Sequence, residues 1–202
     1  MPRNQEQNEK MKEERRRQIL SVALRLFAQR GLAATKITDI AQASEISQGL
    51  LYHYYCSKEE IYAELIQGAF ERMNGACRWL ASQPWSPREK IGFAIAELLK
   101  LLEQDDDASR YHLLIAQATV SEATPAEVRQ IIARENRFPY ESIARIMAEG
   151  QRDGTVKAND PQELALAFWG AINGLAIYKA VHGAAFRAPD PRILSRMFLR
   201  ES

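Results

Sequence analysis

Apolar residues along the chain recur every three or four positions, the spacing that gathers them on one side of an α-helix. The first such stripe, Ile19, Leu20, Ala23, Leu24 and Phe27, predicts a helix ending at Arg30-Gly31, where glycine accepts the left-handed conformation that closes helices. Two short amphipathic pieces, 36–44 and 48–55, follow with only a brief gap between them, the layout of a helix-turn-helix. A fourth series, Ile61, Leu65, Ala69, Met73 and Cys77, opens behind Ser57-Lys58-Glu59-Glu60. Serine followed three positions later by glutamate is a capping box, so a long helix is expected from there to about Gln83.

Three later junctions repeat one start signal: Ser86-Pro87-Arg88-Glu89, Thr124-Pro125-Ala126-Glu127 and Asp160-Pro161-Gln162-Glu163. Each sets an oxygen-bearing cap before a proline at the first helical position, where no amide is missed, and places a glutamate to close the box. Breaks near 104–108, 121–124, 150–160 and 183–191 divide the remainder into five more helices. Phe138-Pro139 falls inside the seventh stretch and predicts a kink there. The fold class is therefore all-α, with about nine helices.

Composition narrows the function. The 202 residues are 46% hydrophobic and 26% charged, enough to bury a core in one or two domains. Lys and Arg number 27 against 26 Asp and Glu, so an anionic partner must be held by placed contacts and not by a global field. Cys56 and Cys77 form no Cys-x-x-Cys pair and read as reduced thiols, and no secretory leader is visible, which points to the cytoplasm. The nearly uncharged stretch Leu164 to Tyr178 falls short of the ~20 residues a spanning helix needs, so no membrane association is expected. His53, His112 and His182 stand in no metal-binding spacing, and Asp105-Asp106-Asp107 reads as a solvated loop. An all-helical enzyme is thus the weakest alternative, and no cofactor or metal is expected.

The second helix of a helix-turn-helix enters the DNA major groove. The segment from Gln48 to Tyr55 carries no acidic side chain to repel phosphate, and Gln48, Tyr52, His53 and Tyr54 offer groups able to bond bases or backbone. Gly49 costs about 1 kcal/mol in a helix relative to alanine, which makes sense where bare backbone approaches another surface. From Thr35 to Ile61 the chain resembles the DNA-binding domain of TetR-family transcriptional regulators. The resemblance rests on Ile40-Ala41, Ser47-Gln48-Gly49, Tyr52-His53-Tyr54-Tyr55 and Ser57-Lys58-Glu59, in that order, and extends back to Phe27-Ala28-Gln29-Arg30-Gly31. Two positions depart from the family pattern. Glu45 stands where glycine is usual in the turn, which implies a strained or altered turn, and Leu50 replaces a small or hydroxylated residue.

The resemblance implies a three-helix DNA-binding domain with its N-terminal arm at 1–56, and a larger ligand-binding and dimerisation domain at 57–202, joined by helix 4. It implies that Thr35, Lys36 and Lys58 meet phosphates, that Ser47 caps the recognition helix or meets phosphate, and that Gln48 and Gly49 face base edges. Tyr55 is expected in the core, and Arg15, Arg16 and Arg17 as an arm. An unknown small-molecule effector is implied, with Met73, Cys77, Tyr111, His112, Gln117, Asn136, Phe138, Tyr140, Trp169 and Asn173 as candidate pocket residues. One recognition helix reads few base pairs, so a homodimer on a palindromic site of double-stranded DNA is expected. Leu166, Ala167, Gly170, Ala171, Gly174, Ile177 and Tyr178 are its candidate interface, because small side chains let helices approach closely. The competing reading is a helical adaptor that binds only protein, which leaves Gly49 and the tyrosines without a role.

Overall fold

The computed structural model describes the backbone of residues 2–201 and the side chains of residues 7–201; Met1 and Ser202, the outer ends of the two expected domains, lie outside the described residues. Among the described residues ten α-helices follow one another: α1 (Pro2–Ala34), α2 (Ile37–Ala43), α3 (Gln48–Tyr52), α4 (Lys58–Ser82), α5 (Pro87–Gln104), α6 (Asp106–Val120), α7 (Ala126–Glu135), α8 (Arg137–Arg152), α9 (Pro161–His182) and α10 (Pro191–Phe198). The all-helical expectation holds, and the seventh stretch divides in two at Asn136. Pro139 lies three residues past this break, so the expected disruption takes the form of a division between two helices. It sits in the first turn of α8, where its missing amide has no intrahelical partner to lose.

Caps account for most of the boundaries. Ser86 and Glu89 form the expected reciprocal box, with Ser86 Oγ accepting from Glu89 N–H at 3.3 Å and the Glu89 carboxylate accepting from Ser86 N–H at 2.8 Å. Ser57 Oγ accepts from Glu60 N–H, while the Glu60 carboxylate reaches one residue further back, to Cys56 N–H at 2.6 Å. Asp160 caps α9, and Asp190-Pro191 starts α10 by the same device. Asp105, in the acidic run, caps α6. Thr124 departs from expectation: its buried hydroxyl donates to Ala118 O at 2.9 Å, and α7 begins without a side-chain cap. Gly31 interrupts α1 where the sequence places the helix end, but with φ 74° and ψ 167° it takes an extended conformation open to glycine and not the expected left-handed helical cap.

Two apolar cores result. One gathers Phe27 and Ile19 of α1, Ile40 of α2, Leu51 and Tyr55 around α3, Ile61, Leu65 and Phe70 of α4, Leu114 and Ala118 of α6, and Val128 and Ile132 of α7. Phe27 meets the edge of Tyr62 with ring centroids 5.1 Å apart. The other packs Ile91, Ile95 and Leu99 of α5 against Ile143 and Met147 of α8, Phe168 and Ile172 of α9, and Phe198 of α10. The stretch Pro161–Ala185 is long and apolar enough to cross a membrane by length and composition. Phe168, Trp169, Ile172 and Ala176 are nevertheless buried in the second core, and Lys179, also buried, pairs with Asp106 at 2.9 Å, which is the pattern of a core helix.

Phe27→Ala removes a fully buried ring at the centre of the first core. The expected loss of stability is about 3–5 kcal/mol, measured by urea unfolding of the full chain, and a loss below ~1 kcal/mol contradicts this packing.

Candidate DNA-binding surface and effector cavity

The helix-turn-helix is assembled by local bonds. Lys36 N–H donates to the Asp39 carboxylate at 3.2 Å at the start of α2, and Leu50 N–H donates to Ser47 Oγ at 3.1 Å at the start of α3. Between them, Ile46 N–H donates to Ala41 O, and Glu45 takes φ 56°. Glu45 is the sole non-glycine residue at positive φ among the described residues, so this turn carries the strain that a side chain meets there. α3 is shorter than its sequence pattern suggested. After Tyr52 the chain tightens into i→i−3 bonds from His53 to Leu50 and from Tyr54 to Leu51, which drives Tyr55 into the core.

Burial of Ile40, Ala41, Leu51 and Tyr55 leaves one outer face. Lys36, Ser47, Gln48, Gly49, Tyr52 and His53 are exposed on it, and Tyr54 is half-buried. Gln48 Nε2 lies 3.5 Å from the Tyr52 hydroxyl, and a Cβ added at Gly49 meets nothing within 4 Å. Leu50 is 38% exposed on the same helix.

Three sequence expectations are corrected. Thr35 is fully buried, and its hydroxyl donates to Gly31 O at 2.8 Å, so it faces the interior and not a phosphate. The Lys58 ammonium donates to Leu32 O at 2.8 Å, Ala33 O at 3.4 Å and Thr35 O at 2.8 Å. Carbonyls left unpaired where the helix breaks at Gly31 draw the nearest cation, so Lys58 caps α1 with all three of its donors. Arg16 does not extend as a free arm either. It donates to the Tyr55 hydroxyl at 3.2 Å and pairs with Glu64 at 2.7 Å. Burial pushes the Tyr55 phenol up to about 12, so it stays protonated.

A cavity of about 520 Å³ opens in the body of the molecule. Met73, Cys77, Tyr111, His112 and Trp169 line it, as expected. Five other candidates do not. Gln117 is spent on α1, donating to Ala28 O at 3.2 Å; Asn173 stands behind His112; Phe138 lies under the Arg78 guanidinium; Asn136 and Tyr140 face a separate surface cleft. The sequence reading missed Trp79, Phe93, Leu98 and Phe168 on the wall. Trp79, Trp85 and Phe93 form a mutual aromatic cluster, with centroids 4.9 to 5.7 Å apart. The sequence signal for Phe93 was present in the apolar face of α5, which pairs it with Leu101 two turns on. Buried in this wall, the Cys77 thiol is pushed up to about 11 and stays un-ionised.

The candidate interface on α9 lies outward. Leu166 is 62% exposed, Ala167, Gly170, Gly174, Ile177 and Tyr178 are exposed, and Ala171 is half-buried. Val181 on α9 and Ile193 and Met197 on α10 are further exposed apolar residues on these two helices.

A short tightly turned helix pair with an outward, acid-free second helix, carried on a larger helical body, defines a helix-turn-helix DNA-binding protein. The family "Bacterial regulatory proteins, tetR family" matches residues 19–65. The chain is 30% identical over 163 residues to the transcriptional repressor KstR2 of Rhodococcus jostii, covering 76% of this chain and 74% of that one. It is 44% identical over 145 residues to the transcriptional regulator HbdR of Aromatoleum sp., and spans 61% of that protein's length. The solved structure of the ketosteroid transcriptional regulator KstR2 of Mycobacterium tuberculosis superposes with a TM-score of 0.77 at 20% identity, over 93% of this chain and 96% of that one. The chain belongs to the TetR family and is a DNA-binding transcriptional regulator.

Lys58→Ala removes the cap of α1. Stability is expected to fall by about 1–2 kcal/mol in urea unfolding. An unchanged midpoint would show that the ammonium is free for another partner.

Proposed function

We propose that the chain is a ligand-responsive repressor that works in the cytoplasm as a homodimer on a palindromic operator. Residues 1–56 act as the DNA-binding head and residues 57–202 as the ligand-binding and dimerisation body. One observation carries the reading: α4 and α6 both wall the cavity and both pack into the core of the head. α4 does so with Met73, Ala76 and Cys77 above and Ile61 and Leu65 below; α6 does so with Tyr111 and His112 above and Leu114 and Ala118 below. A molecule that moves either helix therefore moves the head.

On DNA, Lys36 supplies charge to a phosphate, Gln48 and the bare backbone at Gly49 face base edges, and Tyr52, His53 and Tyr54 reach backbone oxygens. Ser47 serves as the cap of α3, and Lys58 acts indirectly by fixing the end of α1 beside α2. Two heads must address half-sites about one DNA turn, roughly 34 Å, apart. The exposed apolar face of α9 and α10 supports pairing of two copies, with Gly170 and Gly174 open enough for close helix approach. The effector is an apolar molecule, as the mainly hydrocarbon and aromatic wall favours. The description of the Mycobacterium tuberculosis relative as a ketosteroid regulator is consistent with that class. Ligand and operator favour different separations of the heads, so each weakens the binding of the other by the same factor.

Selection of bound fragments from random duplex DNA, followed by a salt titration, tests the reading; no salt-sensitive binding at all favours the protein-only adaptor. Lys36→Ala is expected to weaken selected and random duplexes alike and to reduce the salt slope by about one. Gln48→Ala is expected to cost about 1–3 kcal/mol on the selected sequence alone, and equal losses on random DNA remove its base-reading role. Ile177→Asp is expected to yield monomers in sedimentation and at least about tenfold weaker operator binding, a factor worth roughly 1.4 kcal/mol.

A further inference from the structure

His112 is the one cavity-lining histidine, and its bonding is half complete. Its Nδ1 lies 2.8 Å from Oδ1 of Asn173 on α9. An amide oxygen only accepts, so Nδ1 carries the ring proton and Nε2 presents a lone pair. Asn173 stands outside the cavity lining, so Nδ1 points away from the cavity; Nε2, on the opposite edge of the ring, is the nitrogen a bound molecule meets. No protein group bonds Nε2 among the described residues. Burial holds the imidazole below its ordinary pKa, so it is neutral at pH 7 and stays an acceptor.

The surrounding wall sharpens this. Leu80, Ala94, Ile143, Phe168 and Trp169 are buried there, and the Trp169 indole N–H is already spent on Pro139 O at 3.1 Å. Charge stays at the exposed rim. Arg72 lies over the Tyr111 ring at 4.2 Å, and Glu97 and Asp105 are exposed.

We propose that His112, fixed in one tautomer by Asn173, selects an apolar effector that carries a hydroxyl at its buried end, against the same skeleton ending in hydrogen, an ether or a carboxylate. The proposal rests on the cavity being the effector site. A hydroxyl donates to Nε2. An ether or carboxylate oxygen sets acceptor against acceptor, and a carboxylate held against Nε2 also carries its charge out of water. A site built to bond a hydroxyl rejects the analogue that lacks it, because its own polar group is then left unpaired. Asn173 is a positioning residue, since without it the ring proton is free to move to Nε2.

Equilibrium dialysis of the full chain at pH 7 against biphenyl-4-ol, biphenyl, 4-methoxybiphenyl and biphenyl-4-carboxylate tests this. Biphenyl-4-ol is expected to bind about tenfold more tightly than the other three. In His112→Leu the preference is expected to shrink below about twofold, with biphenyl itself bound more tightly once it no longer faces an unpaired nitrogen. Asn173→Leu keeps the imidazole and tests the same point from the other helix; there the margin over 4-methoxybiphenyl is expected to narrow. Equal binding of the four by the parent chain, or a preference that survives His112→Leu, overturns hydroxyl selection and leaves the cavity as an effector site. Binding of none of the four overturns the effector reading itself.

Discussion

The structure depends on one helix, α4, being shared between two cores, with α6 braced against it. α4 buries Ile61, Leu65 and Phe70 among the residues around Phe27 and Cys77 and Leu80 among those around Phe168, while α6 buries Leu114 and Ala118 in the first core and reaches α9 through polar bonds. Protein interiors are close-packed and transmit displacement instead of absorbing it. A shift at Cys77 or His112 must then be felt at Leu65 or Leu114. The polar bonds follow the same route: Asp106 to Lys179 and His112 to Asn173 tie α6 to α9 six residues apart on each helix, and Gln117 ties it to Ala28 of α1. One rigid element thus touches the outward helix, the cavity and the head.

Much of the fold was legible in the sequence because caps are local. Ser86, Ser57 and Asp160 act within a few residues of themselves, and nothing distant competes for their oxygens. Thr124 shows the limit, since its hydroxyl found Ala118 O six residues behind and left α7 without a side-chain cap. Asp190-Pro191 carries the cap and the proline of the other three junctions but has Ile193 where they have glutamate, so its signal is weaker. The division of α7 from α8 was harder to see, because the apolar spacing continues across Asn136.

The site was legible in residue type and less so in residue duty. Spacing placed Lys36, Gln48, Gly49 and Tyr52 on one exposed face, because local helix geometry fixes that much. It could not say that Lys58 would be drawn to the carbonyls just past Gly31, 23 residues upstream of it in the closest case, or that Thr35 would turn inward. Both outcomes depend on where α1 ends relative to α4, a tertiary fact. The cavity divided the same way. His112 and Trp169 reach it, while Gln117 and Asn173, on the same two helices, are consumed by neighbouring chain.

The aromatic cluster at the rim has a use beyond packing. All three tryptophans of the chain stand at or next to the cavity, Trp79 and Trp169 in its wall and Trp85 against Trp79. Their indoles are intrinsic chromophores whose emission colour and quenching respond to the polarity around them. The molecule is thereby its own optical sensor: occupancy is visible in ultraviolet-excited light from unlabelled protein, with no tryptophan elsewhere to dilute the signal.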